Sequence, residues 1–242
     1  MKVIIATIAI GGWYPLGLAR MIQKFKEVSP GFDLMAWVNT LPPGAPADVI
    51  VDGYDYTAYC AKPFALHECA RLGADIGILL DASFWPIRPI HPLVEHIQQH
   101  QNYFCANGFN TGEWCGDHAL RRLGIKREES FSIPEISSYC VGLNFGNQEC
   151  RKLLAQWCRL AADRITFPGR HTNINAVAPI GNRNPGNVSP DPRVRGHRHD
   201  QTALSVLAWK AGMDYLVERP KLTTYFGKET SETVLVNWGQ IL

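Results

Sequence analysis

The stretch Gly77-Ile78-Leu79-Leu80-Asp81-Ala82-Ser83-Phe84-Trp85 constrains this chain more than any other. An apolar run feeds directly into a carboxylate, and Pro86 stops the run. The pattern predicts a buried strand that carries Asp81 at its mouth. A charge in that position is costly unless something positive meets it. In an open α/β sheet the strand mouths are also where ligands bind. Asp81 is therefore expected to face a metal-bound diphosphate or a sugar.

The rest of the chain supplies the elements such a strand needs. Val3 to Ile10 is dense in β-branched residues and predicts a buried first strand. Leu18, Ile22 and Phe25 recur at helical spacing until Ser29-Pro30-Gly31. Asp33 to Val38 and Val49 to Val51 read as further strands. Ala58, Ala61, Ala65, Cys69 and Leu72 mark a helix that Gly73 closes. Alternation of this kind argues for a largely parallel sheet between helices. Further on, Leu93 and Ile97 mark a helix, Tyr103 to Ala106 a strand, and Asp117 to Leu123 a helix that Gly124 ends. Tyr139, Val141, Leu143 and Phe145 alternate as a strand does. A helix follows around Leu153, Trp157 and Leu160. Phe167 to Arg198 is rich in Gly, Pro, Asn and Arg, and an irregular segment of that length in a compact domain is usually functional or disordered. Thr202 to Lys210 is a helix, Tyr215 to Val217 and Leu222 to Phe226 are short strands, and Val234 to Val236 ends the pattern.

Composition narrows the classes. Of 242 residues, 46% are apolar and 19% charged, enough for a sizeable core. A net charge of +2 makes no case by itself for nucleic acid or membrane. No apolar run approaches the ~20 residues of a membrane span. The seven cysteines are odd in number and form no C-x-x-C pair. They read as small buried hydrophobes in a reducing, cytoplasmic compartment.

Four groups could carry chemistry. Asp81-x-Ser83 places a carboxylate and a hydroxyl where both can reach one cation or one sugar hydroxyl; the same residues also make ordinary turns after strands. Arg195-Gly196-His197-Arg198-His199-Asp200-Gln201 leads a basic loop into a helix start, which suits an anionic diphosphate. In it His199 is a candidate metal ligand through a neutral imidazole, and Asp200 is also a favoured helix N-cap. Lys62 stands near the core face of its helix, either snorkelling or reaching a ligand. Thr7 ends the first strand, and Gly11-Gly12-Trp13-Tyr14 follows with glycines that allow close approach and aromatics that either stack on a base or fill the core. The G-x-G-x-x-G fingerprint and the P-loop are both missing, which argues against a dinucleotide oxidoreductase.

In this order, with Lys62-Pro63-Phe64-Ala65, Gly73-Ala74-Asp75, Leu80-Asp81-Ala82-Ser83, Tyr139 to Phe145 and His199-Asp200-Gln201, the chain resembles the GT-A-fold nucleotide-sugar glycosyltransferases. The small phage-type and capsule-type members are similar in length and in carrying Asp-Ala-Ser where others have Asp-x-Asp. The resemblance implies a single α/β domain with a mixed central sheet flanked by helices. Residues 1–101 would form the nucleotide-sugar half, and 102–242 the acceptor half with its long loop at 167–198. It implies transfer of a hexosyl or pentosyl group from a UDP-sugar to an acceptor hydroxyl. Thr7, Lys62, Asp81, Ser83 and Arg198 are implied to bind the donor, Asp200 to act as base or donor-sugar ligand, and Asp81 and His199 to hold Mn2+ or Mg2+.

Ser83 departs from the pattern. A hydroxyl is a weaker ligand than a carboxylate, which leaves either a metal assisted by His199 or arginines of the long loop to neutralise the diphosphate. The acceptor is open among a glycan, a lipid carrier, a small molecule and a modified DNA base; Arg121, Arg122, Lys126 and Arg127 are either a nucleic-acid contact or a solvated face. Two other classes share the outline: a non-catalytic nucleotide-sugar or glycan binder, and a sugar nucleotidyltransferase, whose first loop normally carries a basic residue that Gly11 to Pro15 lacks.

Overall fold

The computed structural model describes residues 1–12, 14–179, 181–214 and 222–237. Trp13 and the strand expected at Tyr215–Val217 lie outside them. In chain order the elements are β1 (Val3–Ala9), α1 (Tyr14–Val28), β2 (Asp33–Val38), β3 (Ile50–Val51), β4 (Tyr54–Asp55), α2 (Thr57–Arg71), β5 (Ile76–Leu80), β6 (Phe84–Pro86) and α3 (His91–His100). They continue as β7 (Asn102–Asn110), α4 (Asp117–Leu123), α5 (Arg127–Ser130), β8 (Pro134–Asn144), α6 (Gln148–Ala162), β9 (Thr172–Asn173), β10 (Pro185–Gly186), α7 (His199–Lys210), β11 (Thr223–Tyr225) and β12 (Leu235–Asn237).

Five strands form the central sheet in the order β2-β1-β5-β8-β7. β1 is parallel to both β2 and β5, whereas β8 runs antiparallel to β5 and to β7. The sheet is thus mixed, and it draws strands from both sides of residue 101. Val49 to Val51 does not join it. Ile50–Val51 pairs with Tyr54–Asp55 in an exposed hairpin, since neither of its side chains has a core to face.

Both faces of the sheet are covered, as continuous apolar strands require. Alternate residues of one strand serve the two sides. Ile4 and Ala6 of β1 pack with α2, α6 and α7, while Val3 and Ile5 pack with α1 and α3. Glycine is used where a neighbour crosses closely: a Cβ on Gly77 of β5 would lie 2.6 Å from the Phe145 ring. α6 is capped by Asn147, whose side chain accepts from the backbone N–H groups of Glu149 and Cys150. α4 ends at Gly124, which takes the left-handed conformation at φ 63°. All seven cysteines are free, six of them buried, in keeping with the hydrophobic role expected of them. Among the described residues no helix is long and apolar enough to cross a membrane.

Candidate active site

The carboxyl ends of β1 and β5, the middle of β8 and the outer part of β7 open into a cavity of about 730 Å3. β1 contributes Ile8, with Ile10 and Gly11 following it. β5 contributes Leu79 and Leu80 and leads into Asp81. Asn107 and Phe109 of β7 and Ser137, Ser138 and Tyr139 of β8 complete the sheet side. Tyr59 and Lys62 of α2, Arg183 of the long loop, Gln201 of α7, Thr224, Tyr225 and Asn237 close the rest.

Lys62 is the centre of charge. Its ammonium lies 2.9 Å from Asp81 Oδ1 and 3.4 Å from Asp200 Oδ2. It also donates to the Ser138 hydroxyl at 3.1 Å and lies 3.3 Å from the Ser138 carbonyl. The lysine is nearly enclosed, with 13% of its side chain exposed, whereas Asp81 keeps 31%. Burial alone would push the Lys62 pKa down, but Asp200 and Asp81 outweigh it and raise the pKa, so the ammonium stays charged. Asp200 has no exposed surface, and burial raises its pKa against the pull of Lys62. Pro63, the next residue, has no N–H to give to the Tyr59 carbonyl one turn earlier.

Asp81, Lys62 and Asp200 thus come together as the sequence order implies, but in two layers. Asp81 is on the cavity wall, and Asp200 is behind the ammonium. Asp200 is not the N-cap: Arg198 takes that place without a side-chain cap bond, and Asp200, two residues on, turns inward. Thr7 is wholly buried in β1, its hydroxyl without a partner among the described residues, and is off the cavity wall. Ser83, 5% exposed, is also off the wall. Arg198 lies flat on Trp114, its guanidinium carbon 3.6 Å from the ring centroid, instead of entering the cavity.

His199 is committed elsewhere. Its Nδ1 faces the Phe167 carbonyl at 2.8 Å, and its Nε2 is bonded to Nδ1 of His171. His197 accepts from the Gly116 N–H at Nδ1 and reaches the Thr166 and Phe167 carbonyls with Nε2. His118 Nε2 is 2.7 Å from the Pro168 carbonyl. A carbonyl can only accept, so these partners fix the tautomers: His199 carries its proton on Nδ1, and His197 and His118 carry theirs on Nε2. His171 then donates from Nδ1 to His199. Burial depresses the pKa of all four, that of His171 to about 4. The four neutral rings bind the start of the long loop to α4 and α7. Gly196 permits the close crossing there, because a Cβ on it would sit 1.8 Å from the His171 carbonyl oxygen.

A protein-held divalent cation needs several hard donors converging on one point. Among the described residues no group of three His, Cys, Asp or Glu side chains is arranged to hold an ion. Apart from Asp81, the implied ligands do not face the cavity. The nearest charged partner of Asp81 is an ammonium.

Sequence reasoning missed several wall residues. Tyr59 stands one helical turn before Lys62 and shares its face, a spacing that could have drawn attention to it. Arg183 was one arginine among many in the long loop. Gln201 reaches the cavity where its neighbour His199 does not. Of the basic residues near α4, Arg122 pairs with Asp163, and Arg127 is held by Asp117 and by the Gly112 and Cys115 carbonyls.

No family model matches the chain, and no curated protein matches it by sequence. Among solved structures, a glycosyltransferase involved in the glycosylation of the major capsid of PBCV-1 superimposes with a TM-score of 0.52 at 9% identity. That match covers 98% of this chain and 93% of the other. The apo form of mouse xyloside xylosyltransferase 1 gives a TM-score of 0.49 at 11% identity, over 98% of this chain and 96% of that one. Together with the mixed sheet, its flanking helices and the cavity at the ends of β1 and β5, the capsid-enzyme match identifies the architecture as a GT-A-like glycosyltransferase fold.

Proposed function

We propose that the chain is a glycosyltransferase that binds a nucleoside-diphosphate sugar in this cavity and transfers the sugar to an acceptor hydroxyl. The observation that carries the reading is Lys62, a charged ammonium on the cavity wall, held between Asp81 and Asp200 at the carboxyl end of the sheet. Loss of a nucleoside diphosphate leaves negative charge on the departing phosphate, and a cation fixed in a partly dry site stabilises that charge far better than water does. Tyr14 and Tyr59 give the cavity flat faces for a base, and Asn107, Ser137, Thr224 and Asn237 give hydroxyl-binding groups for a sugar. Asp81 is the acid placed to meet the reacting sugar or its acceptor. Asp200 holds Lys62 from behind and is a positioning residue.

The test is product formation. The purified chain is incubated with UDP-sugars, the donors the resemblance implies, and a panel of glycan, small-molecule and glycosylatable DNA acceptors, and products are read by mass spectrometry. Asp81→Ala is expected to lower turnover roughly a hundredfold or more while melting stays near that of the wild type. Wild-type turnover in Asp81→Ala overturns the reading, and so does donor binding with no transfer to any acceptor, which marks a binding protein.

A further inference from the structure

We infer that the positive charge offsetting the donor diphosphate comes from Lys62 and Arg183 of this chain, so that donor binding needs no divalent cation. The inference rests on the donor reading above and specifies its chemistry. Three observations converge. The side chains expected to hold a cation do not converge, since Ser83 is buried off the wall and both ring nitrogens of His199 are occupied. The place beside Asp81 is filled by the Lys62 ammonium, 2.9 Å away. A second cation, Arg183, lines the same cavity from the long loop, and its side chain has neither hydrogen bond nor ion pair among the described residues.

Lys62 is built to change partners on one side only. Ser138 and Asp200 hold it from the sheet and from α7, both enclosed, while Asp81 stands at the rim. A flexible stem lets the ammonium turn from Asp81 to a phosphate oxygen and keep its inner bonds. Arg183, planar and permanently charged, suits the second phosphate oxygen. Two cations then meet a doubly charged diphosphate. Asp81 is freed toward the sugar and acceptor hydroxyls. In the transfer, the acceptor oxygen bonds to the anomeric carbon as the bond from that carbon to the terminal phosphate oxygen breaks. The electron pair stays on the phosphate, where Lys62 donates to it, and the acceptor proton passes to the departing diphosphate or to water.

Calorimetry on the full chain tests this with UDP, GDP, ADP and CDP, each in buffer with EDTA and again with manganese. One nucleotide is expected to bind with Kd values that agree within about twofold between the two buffers. Arg183→Ala, at an exposed position, is expected to weaken that binding roughly tenfold. Lys62→Met combined with Asp200→Asn, which removes the buried partner charge as well, is expected to weaken it at least as much. Binding seen only with manganese overturns the proposal, as does a protein-bound manganese signal in electron paramagnetic resonance, or unchanged affinity in Arg183→Ala. Failure of all four nucleotides in both buffers overturns the donor reading itself, so the two failures are told apart.

Discussion

At the scale of single residues, two buried acids show how environment decides role. Asp200 has Lys62 within 3.4 Å, and that ammonium offsets part, though not all, of the cost of burying its charge. Glu135 on β8 is wholly buried and forms no ion pair among the described residues. Burial raises its pKa well above the usual range, and the charge of Arg198 opposes this only in part. The unfolded chain releases this proton above about pH 4.3, while the folded chain keeps it. Between those two values the folded state binds more protons, so this residue's contribution falls as pH rises, by at most about 1.4 kcal/mol per pH unit. Glu135→Gln keeps the shape and removes the titration. The variant is expected to match the wild type near pH 4 and to exceed it at pH 7 by on the order of 1–3 kcal/mol in urea unfolding. A constant difference between the two across that range would show that Glu135 is not held neutral. Nothing in the sequence around Pro134-Glu135-Ile136 signals this, because a lone glutamate in a strand pattern reads as an outward-facing position.

At the scale of elements, the long basic loop is the part where sequence and structure say most different things. Its composition was legible: Gly, Pro, Asn and Arg from Phe167 to Arg198 predicted an irregular segment, functional or disordered. Its ordering was not, because the order comes from contacts between residues far apart in the chain. His197 and His199 bond to carbonyls about thirty residues earlier, and Tyr56 OH bonds to both Gly169 and Asn184. The same distance effect explains His199, whose type suited a metal but whose neighbours were invisible. By contrast α4 and the strand at Gly77 to Leu80 were readable because period, cap and punctuation are local. The histidine cluster has a consequence for pH. The folded values of His197 and His199 are depressed, so below about pH 6.5 the unfolded or opened loop binds protons that the closed loop does not. Stability is present above that pH and is lost as pH falls toward the folded values, by up to about 1.4 kcal/mol per pH unit for each ring. Hydrogen exchange at residues 166–171 is expected to speed up between pH 7 and pH 5 relative to exchange in β1 and β5, after correction for intrinsic rates. Equal protection of both regions at the two pH values would show that the rings do not latch the loop.

At the scale of the whole molecule, the fold is a rigid sheet with a less regular rim. β1 and β5 are buried along almost their full length, and the strands that hold Asp81 and Ser138 cannot shift without disturbing both apolar layers. The cavity's other wall comes from the long loop, Gln201 of α7 and the segment from Thr223 to Asn237. This division explains why the GT-A-like architecture was legible in the alternation of strands and helices, while the cavity was legible only as Asp81, Lys62 and the loop that carries Gly11 and Tyr14. It also sets what a ligand can do. A molecule that spans the cavity ties the rim to the sheet and binds the folded state alone, so it raises the melting temperature by mass action. At a concentration of about a hundred times its Kd, a single-site ligand adds about 2.7 kcal/mol. For a chain of this size that corresponds to a shift of about 5–10 °C. Nucleotide-sugars are expected to produce such a shift in a thermal-shift panel, and the matching free sugars and nucleosides much less, because under the proposal above only the diphosphate meets Lys62 and Arg183. A free sugar that shifts melting as far as its nucleotide-diphosphate form would place the binding energy on the hydroxyl-binding groups, and would move the centre of the site from Lys62 to Asn107, Thr224 and Asn237.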